Sequence, residues 1–401
     1  DNTIIDYKGA DTDYIKVTDG TNVTIENNFV GPIDNYDAFL GQISDDTWYD
    51  ATKTELAIED VADFAAFIEA ANSVDNFEGK TLKLTGDIDL YFEDVTALAD
   101  GDPITFRPIG DTQYGAKKPF KGTFDGQGHK IANLLITGKN SYVGLFGFTT
   151  DGEIKNLVVE NAKVSGRVGV GVVAGSPYTS KFNKITVQGH VEVNGMSYVG
   201  GVGGRNAYAA WEDITVNVDE TSYVKANSIE NGTAYRTYVG GVVGFNGEGG
   251  HSFKNITSNI NVEGSTCDVG GLFGIAHYGN KFVNCVCTGN VYNYSTIEDD
   301  AYETGGLAGV WHNGGANVEF TNCKFEGTLS AGTEVAFYNN GLVGRSYSKT
   351  GTGKLIIDGA VVVNSVAEFV ALAKADIEAG GTELAYTALG ANVGSLDGTN
   401  F

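Results

Sequence analysis

The chain has 401 residues, and its 42% hydrophobic content argues against intrinsic disorder. Its 56 glycines and 5 prolines follow no Gly-X-Y triplet, which argues against collagen. The 26 basic and 51 acidic residues give a formal net charge of −25, which repels phosphate backbones and anionic lipid, so we expect no nucleic-acid partner. No apolar run reaches the roughly 18 residues of a membrane-spanning helix, so no membrane span is predicted.

The first part of the chain divides into two predicted segments. Residues 1–50 carry short strand-like strings and form an N-terminal strand-rich segment. Residues 51–104 are predicted to hold a capping helix and a first coil, because Ile58–Ala71 places its apolar residues at helical spacing. Since numbering starts at Asp1, we expect an export signal that is absent from this sequence.

A short glycine string, which we call the hook, recurs between residues 142 and 344, within the segment 105–364 that we predict to form the repeats of a parallel β-helix. The hooks are Tyr142–Gly147, Val168–Gly175, Tyr198–Gly204, Tyr238–Gly244, Val269–Gly274, Thr304–Gly309 and Asn340–Gly344. Their closing glycines are 28, 29, 40, 30, 35 and 35 residues apart, and self-similarity at such a period is typical of a solenoid. We expect the glycines to allow tight corners and positive φ angles.

A second string follows each hook and alternates apolar residues with a period of two, which predicts a strand with one buried face. Stacked repeats should align its phenylalanines in an aromatic ladder and its asparagines in a corner ladder that satisfies turn backbone groups. The aromatic positions are Phe182, Phe253, Phe282 and Phe320. The asparagine positions are Asn156, Asn255, Asn284 and Asn322. Trp211 and Trp311 are expected to pack in or over the coils.

Together these patterns predict an all-β fold, a right-handed parallel β-helix with short capping helices near both ends. One coil cannot cover its own apolar face, so coils must stack, and the handedness follows from the usual chirality of β crossovers. Residues 365–401 are predicted to form the C-terminal helix and cap, because Ser365–Glu368 is a capping box followed by apolar residues on one face.

Four cysteines are too few for a disulfide scaffold in a chain of this length. Cys285 and Cys323 hold equivalent places in successive repeats, and stacking could bring them near bonding distance. The simpler interpretation is that they are buried thiols that behave as small hydrophobic residues. The sequence leaves their disulfide state open.

The ordered strings from Trp48 to Gly147 resemble those of the GLUG-motif repeat proteins. The strings are WYD, ADFAAFIEAAN, FEGKTLKLTGDIDL, FRPIG, FKGTFDGQGHKIANLLI and VGLFG, and the similarity extends over residues 48–345. GLUG-motif proteins are bacterial exported surface proteins, common in Bacteroides-like organisms. The resemblance implies a right-handed parallel β-helix, display outside the cell, and an adhesin-like role.

Members of this family often carry the label immunoglobulin A1 protease, which the residues here do not favour. Such metallopeptidases need an HExxH helix, in which two histidines hold zinc and the glutamate activates water. None of the five histidines of this chain is followed by glutamate at the next position and histidine at the fourth. We therefore predict that the chain is not an enzyme and has no resident cofactor.

Insertions before two hooks point to a ligand-binding surface, because insertions in repeat proteins collect on one face. They lie in Ser222–Tyr238 and Val291–Glu303, and the coil between them is short, which would leave a groove. Tyrosines offer stacking surfaces for sugars or protein loops. The predicted ligand-binding residues are Tyr223, Tyr235, Tyr238, Tyr292, Tyr294 and Tyr302. An acidic cluster, which could hold Ca²⁺ but more simply forms a solvated loop, comprises Glu298, Asp299 and Asp300.

Three functions remain open at this stage. The first is a monomeric, non-enzymatic, exported surface protein that binds host protein or glycan through loops on a β-helix. The second is a carbohydrate-active enzyme, a lyase or hydrolase, which requires converging carboxylates, or carboxylates with a basic residue, in an open groove. The acidic strings Gly86–Leu90 and Phe124–His129 are read as turns of the scaffold rather than as such a site. The third is a structural stalk, which should show neither catalytic groups nor exposed aromatic patches.

Overall fold

The structure is a computed structural model of the chain. It describes residues 5–6, 16–17, 44, 47–90, 107–110, 119–227, 229–230, 233–234, 237–247, 250–265, 268–296, 303–312, 314–334, 341–346, 352–363 and 386–389. Across these ranges the fold is predominantly β with parallel sheets, so the all-β prediction is confirmed.

Most strands fall into four stacks, within which neighbouring strands pair in parallel. Stack one contains Val168–Gly171, Ser197–Gly200, Val239–Gly240, Val269–Gly270 and Thr304–Gly305. Stack two contains Phe146–Thr150, Ala174–Tyr178, Gly203–Ala207, Val243–Gly247, Phe273–Ala276 and Ala308–Trp311.

Stacks three and four share three strands that run through both, Lys130–Ile136, Glu153–Ser165 and Lys181–Gly195. Stack three also contains Glu55–Ile58, Thr81–Leu84, Ile88–Asp89, Thr123–Asp125, Ala210–Val218, Ser252–Ser258, Lys281–Cys287, Val318–Thr321, Lys324–Phe325 and Leu355–Ile357. Stack four also contains Tyr223–Ala226, Asn261–Gly264, Val291–Asn293 and Leu329–Ala331.

The remaining strands lie outside the four stacks. Ile5–Asp6 pairs with Lys16–Val17, and Ile229–Glu230 pairs with Thr233–Ala234, both antiparallel. Near the C-terminus, Ala360–Val363 pairs antiparallel with stack three and parallel with Tyr386–Leu389.

The chain visits the stacks in a fixed order. One repeat passes through Ser197–Gly200, Gly203–Ala207, Ala210–Val218 and Tyr223–Ala226, in stacks one to four, and Val239–Gly240 then returns to stack one. Each strand pairs with its counterpart one repeat away. The hook therefore supplies stacks one and two, and the second string supplies stack three.

Helix α1, Val61–Ser73, lies against the start of the core. Asp60 caps it, because its carboxylate accepts hydrogen bonds from the backbone N–H groups of Ala62 and Asp63 at 2.8 and 3.1 Å. Phe67 is fully buried and contacts several core phenylalanines, including Phe77 at a ring distance of 5.3 Å. The first predicted helix is confirmed, with its start shifted because residues 55–58 form a strand. The second predicted helix lies outside the described residues.

Buried aromatic rings stack through successive repeats of stack three, as predicted. Phe182 lies parallel to Trp211 at 4.2 Å, and Phe253, Phe282 and Phe320 continue the series at 4.9 and 4.5 Å. Trp211 thus belongs to the same ladder, and both it and Trp311 are almost fully buried, in agreement with the sequence. These rings and the aliphatic residues of all four stacks form one continuous apolar core.

The hook glycines form the expected tight corners, but positive φ is rarer among them than expected. Among the described hook glycines, only Gly169 and Gly341 have a positive φ. At Gly270, a Cβ would meet the Phe273 carbonyl oxygen of the same hook and would lie 2.6 Å from the backbone nitrogen of Gly309 in the next repeat. Hook glycines are therefore needed mainly because the backbone of the hook itself and those of neighbouring repeats approach too closely for a side chain.

Positive φ recurs at one position of stack three, which is held mostly by asparagine. These residues are Asn156, Lys184, Asp213, Asn255, Asn284 and Asn322, with φ between 51° and 57°. Their side chains were expected to satisfy turn backbone groups, but the asparagine amides bond instead to asparagine or aspartate side chains of the preceding repeat. Asn284 donates to Asn255 at 2.9 Å and Asn322 donates to Asn284 at 2.8 Å. We call this series the asparagine ladder.

Candidate functional site

Three of the predicted tyrosines share the outward face of stack four, which we call the tyrosine face. In the strand pairing, Lys225 faces Glu263, which in turn faces Tyr292, and Tyr223 precedes Lys225 by two residues on the same side. Tyr294 follows on from the strand that carries Tyr292. The face therefore spans three successive repeats and comprises Tyr223, Lys225, Glu263, Tyr292 and Tyr294.

Contacts on the tyrosine face fix the orientation of Tyr294. Its ring meets Tyr292 edge to face at 4.4 Å, and the ammonium of Lys225 lies 5.2 Å from the ring centre. The Tyr294 hydroxyl donates to Glu263, which also pairs with Lys225 at 3.1 Å. Burial and the hydrogen bond to Glu263 raise the pKa of Tyr294, so the phenol stays protonated. The side chain is nevertheless 40% exposed.

The other predicted site residues are placed elsewhere or not described. Tyr238 is only 8% exposed and packs with Ile275 and Val310 in a small apolar cluster separate from the main core. The structure therefore does not bring Tyr238 to the tyrosine face. The remaining predicted positions lie outside the described residues: Tyr235, Glu298, Asp299, Asp300 and Tyr302. In the part of the chain that is described, no group of three or more His, Cys, Asp or Glu residues is arranged to hold a metal.

A second aromatic surface lies at the turns between stacks two and three, and we call it the corner row. It comprises Tyr178, Tyr208, His251, His277, Tyr278 and His312. Tyr178 and Tyr208 meet edge to face at 5.6 Å and are 40% and 41% exposed. Tyr208 in turn meets His251 edge to face at 5.3 Å, so each ring is held by the next.

The corner row continues into two stacked imidazoles. His277 lies parallel to His312 at 4.5 Å and also contacts Tyr278 at 4.3 Å. Burial, together with the neighbouring His312 and His251, lowers the pKa of His277 to about 4. Parallel rings do not converge on a common point, and the His277 ring is uncharged at pH 7.

Sequence reasoning did not single out the corner row, although a signal was present. An aromatic or imidazole residue precedes the stack-three string in successive repeats: Tyr178 before Phe182, Tyr208 before Trp211, and His251 before Phe253. The offset changes from four to three to two residues. Because that spacing drifts, the residues do not align as a simple repeat, and only the folded turns bring them into contact.

One charged network lies beside the tyrosine face and is centred on His190. Its Nδ1 is 3.0 Å from Asp219 and its Nε2 is 3.1 Å from Glu192. The Glu192 carboxylate also accepts from the Tyr223 hydroxyl at 3.3 Å and lies 3.4 Å from the ammonium of the buried Lys163. The carboxylates of Glu192 and Asp219 and the basic groups of His190 and Lys163 thus meet across three repeats.

Electrostatics in the His190 network favour the charged forms of His190 and Asp219. Burial alone would lower the pKa of His190, but hydrogen bonds to Glu192 and Asp219 outweigh it and raise the pKa. Burial opposes ionisation of Asp219, yet hydrogen bonds from Thr221, Ser222 and His190 lower its pKa to about 2. Both imidazole nitrogens of His190 are occupied by carboxylates. The geometry is that of a satisfied ion-pair network, with no nitrogen of His190 left to exchange a proton with a substrate.

The two acidic strings weighed for catalysis have structural partners. Asp125 accepts from the Gln127 backbone N–H at 3.0 Å and from the Asn156 amide at 2.9 Å, at the start of the asparagine ladder. Asp87 accepts from the Lys130 backbone N–H and lies 3.1 Å from His129. These contacts connect turns of neighbouring repeats, as their interpretation as scaffold predicts.

The described residues thus define an all-β protein of stacked parallel strands that carries two exposed aromatic surfaces.

No family model matches the chain. Over 142 residues, 35% of its length, the chain is 33% identical to halomucin of Haloquadratum walsbyi, and it spans about 2% of the length of that protein. A solved structure from Bacteroides ovatus, provisionally named an immunoglobulin A1 protease, is 16% identical with a TM-score of 0.40, covering 80% of this chain and 81% of the other. A likeness this low carries no argument about fold or function. None of the described helices is long and apolar enough to cross a membrane.

Proposed function

We propose that the chain is a right-handed parallel β-helix of the GLUG type, exported and displayed outside the cell, where it binds glycan as an adhesin-like, non-enzymatic monomer. The fixed order in which the chain visits four parallel stacks supports the β-helix. A coil of four short strands with its apolar residues inside leaves every outward face and every turn free for display.

The observation that carries the binding role is the exposure of adjacent aromatic rings in the corner row. Tyr178 and Tyr208 each leave about 40% of their surface in solvent although they contact each other. Exposed rings that are already held in place lose little conformational entropy on binding, which is the property of an aromatic recognition site. A plain structural stalk would have smooth polar turns there.

Charge selects the class of glycan. With a net charge of −25 the protein repels polyanions, so uronate-rich or sulfated chains are disfavoured. Neutral sugars combine apolar C–H faces, which stack on tyrosine rings, with hydroxyls that hydrogen-bond to phenol groups. A neutral glycan therefore fits the corner row best, and the tyrosine face offers a second contact of the same kind.

Binding is tested on an array of neutral and anionic glycans with host extracellular-matrix proteins as a separate panel. We expect binding to neutral glycans, and a loss of at least about tenfold in affinity for Tyr178→Ala/Tyr208→Ala, in line with removal of two aromatic contacts. Tyr292→Ala/Tyr294→Ala reports on the tyrosine face. Lys254→Ala is the matched control, because Lys254 is an exposed residue of stack three that pairs with Glu212 and lies outside both aromatic surfaces.

The outcomes separate the three functions. Absence of binding on both panels would refute the adhesin role and leave the stalk. Binding to matrix proteins alone would replace glycan by protein as the ligand. Cleavage of any polysaccharide, measured by the appearance of reducing ends or unsaturated products, would establish an enzyme instead. In that case, Glu192→Gln would test whether the His190 network takes part in the reaction.

A further inference from the structure

Cys285 and Cys323 occupy matching positions on neighbouring strands of stack three. The pairs on either side of them, Val283 with Thr321 and Val286 with Lys324, are in register. Paired residues on adjacent strands have Cα atoms about 4.8 Å apart, which falls within the range that a disulfide spans. The backbone N–H of Cys285 lies 3.4 Å from the sulfur of Cys323.

The two thiols contact each other and differ in accessibility. Cys285 is fully buried in the core, whereas Cys323 is half-buried, and both are reduced in this structure. The strand that carries Cys323 is interrupted there, since Val318–Thr321 ends and Lys324–Phe325 begins on either side of the position. The interruption gives the backbone at Cys323 room to adjust as a covalent bond forms.

We propose that Cys285 and Cys323 form a redox-dependent disulfide that joins two successive repeats of the solenoid. The reaction needs an oxidant, and a small-molecule disulfide such as oxidised glutathione supplies it. The thiolate of Cys323 attacks one sulfur of the oxidant, whose S–S bond breaks and releases one thiol. Cys285 then loses its proton and attacks the Cys323 sulfur, expelling the second thiol. Two protein thiols are oxidised and one small disulfide is reduced.

The acidities of the two groups fit this order of events. The hydrogen bond from Cys285 lowers the pKa of Cys323, so the accessible sulfur is the better nucleophile. The hydrogen bond to Cys323, together with burial, raises the pKa of Cys285, which suits a group that acts second. Cys287, two residues along the same strand, provides the contrast. It is fully buried, and burial raises the pKa of its thiol to about 12.

The test is thiol counting on the folded full chain in glutathione buffers of increasing oxidation, with trapping by iodoacetamide. We expect two thiols to disappear, a product about 2 Da lighter, and a peptide that joins Cys285 to Cys323. Unfolding should also shift to higher temperature by about 5 °C, because the bond restricts the unfolded chain. Cys287→Ala should leave the bond intact, whereas Cys323→Ser should abolish it.

Cys285→Ala provides a second variant, because serine at a buried position could unfold the protein, and circular dichroism checks that each variant is folded. The proposal is overturned if both cysteines remain alkylated in the most oxidising buffer. It is equally overturned if Cys323 stops at a mixed disulfide with glutathione, or if either cysteine pairs with Cys267 or Cys287.

Discussion

Asn322 donates its side-chain amide to Oδ1 of Asn284 at 2.8 Å, and both residues hold a left-handed backbone with φ near 50°. The same pairing links Asn284 to Asn255. Each asparagine therefore serves two purposes, since it tolerates a backbone conformation that most residues resist and it joins its repeat to the one before.

The asparagine ladder is broken at Lys184, where an exposed lysine has a φ of 54°. Lys184→Asn should raise the stability by about 1 kcal/mol, because asparagine tolerates this conformation and its amide can reach Asn156. Thermal unfolding measures the gain. Lys181→Asn, at an exposed position of the same strand without positive φ, should give none. A lower melting temperature for Lys184→Asn would contradict the role assigned to the ladder.

Close contact between repeats makes the hook glycines sensitive to any side chain. Gly270→Ala would place a Cβ 2.6 Å from the Gly309 nitrogen and 2.9 Å from the Ala308 Cα, both backbone atoms that cannot move alone. We expect a loss of about 3 kcal/mol in urea unfolding. Gly315→Ala is the control, because no atom lies within 4 Å of its Cβ position. If the two substitutions change the free energy of unfolding equally, then backbone entropy, rather than close contact, explains why the hook contains glycine.

Phe282 lies between Phe253 and Phe320, with ring distances of 4.9 and 4.5 Å. Phe282→Ala should leave a cavity in the middle of the ladder and reduce the free energy of unfolding by about 3–5 kcal/mol. Phe282→Leu, which fills most of the space, should lose less. Chemical denaturation measures both. Equal destabilisation of the two variants would mean that the parallel stacking of the rings stabilises the protein more than the volume that the Phe282 side chain fills.

His277 should make the protein less stable in acid. Its pKa is about 4 in the folded state and near 6.5 when unfolded, so above pH 6.5 it is neutral in both states and contributes nothing. Between pH 6.5 and 4 the unfolded chain gains a proton that the folded chain does not, so stability falls, by up to about 2 kcal/mol. His277→Asn should flatten this part of the stability curve. A wild-type and variant difference that is constant with pH would refute the effect.

His190 should show the opposite dependence, because Glu192 and Asp219 raise its pKa in the folded state. The stabilisation by its charge is fully present below the unfolded pKa and is lost as pH rises through the folded value. His190→Asn should therefore reduce stability more at about pH 5 than at about pH 9. Urea unfolding at the two pH values measures the difference. A greater loss at the higher pH would mean that the network does not hold an imidazolium.

The sequence predicted the repeat, the alternation in stack three and the two ladders because these features are local and periodic. A phenylalanine and an asparagine that recur at one place in each repeat must align once the repeats stack. It also predicted helix α1, whose apolar residues have helical spacing. The helix begins later than predicted, because residues 55–58 form a strand and Asp60 caps the helix. The expected tight corners at the hook glycines are present, as the approach of Phe273 to Gly270 shows, but the further crowding of Gly270 by Gly309 comes from the next repeat and cannot be read within one.

Exposure and partners were decided by the tertiary structure alone. Tyr238 and Tyr294 are both tyrosines near insertions, yet one is buried against Ile275 and the other is 40% exposed beside Lys225. Tyr178 and Tyr208 carried only a weak signal, because their offset from the repeated string drifts and only the turns bring them together. Periodicity fixes which residues face the core. Which outward residues meet depends on turn lengths, and a change of one residue there moves a side chain to a different neighbour.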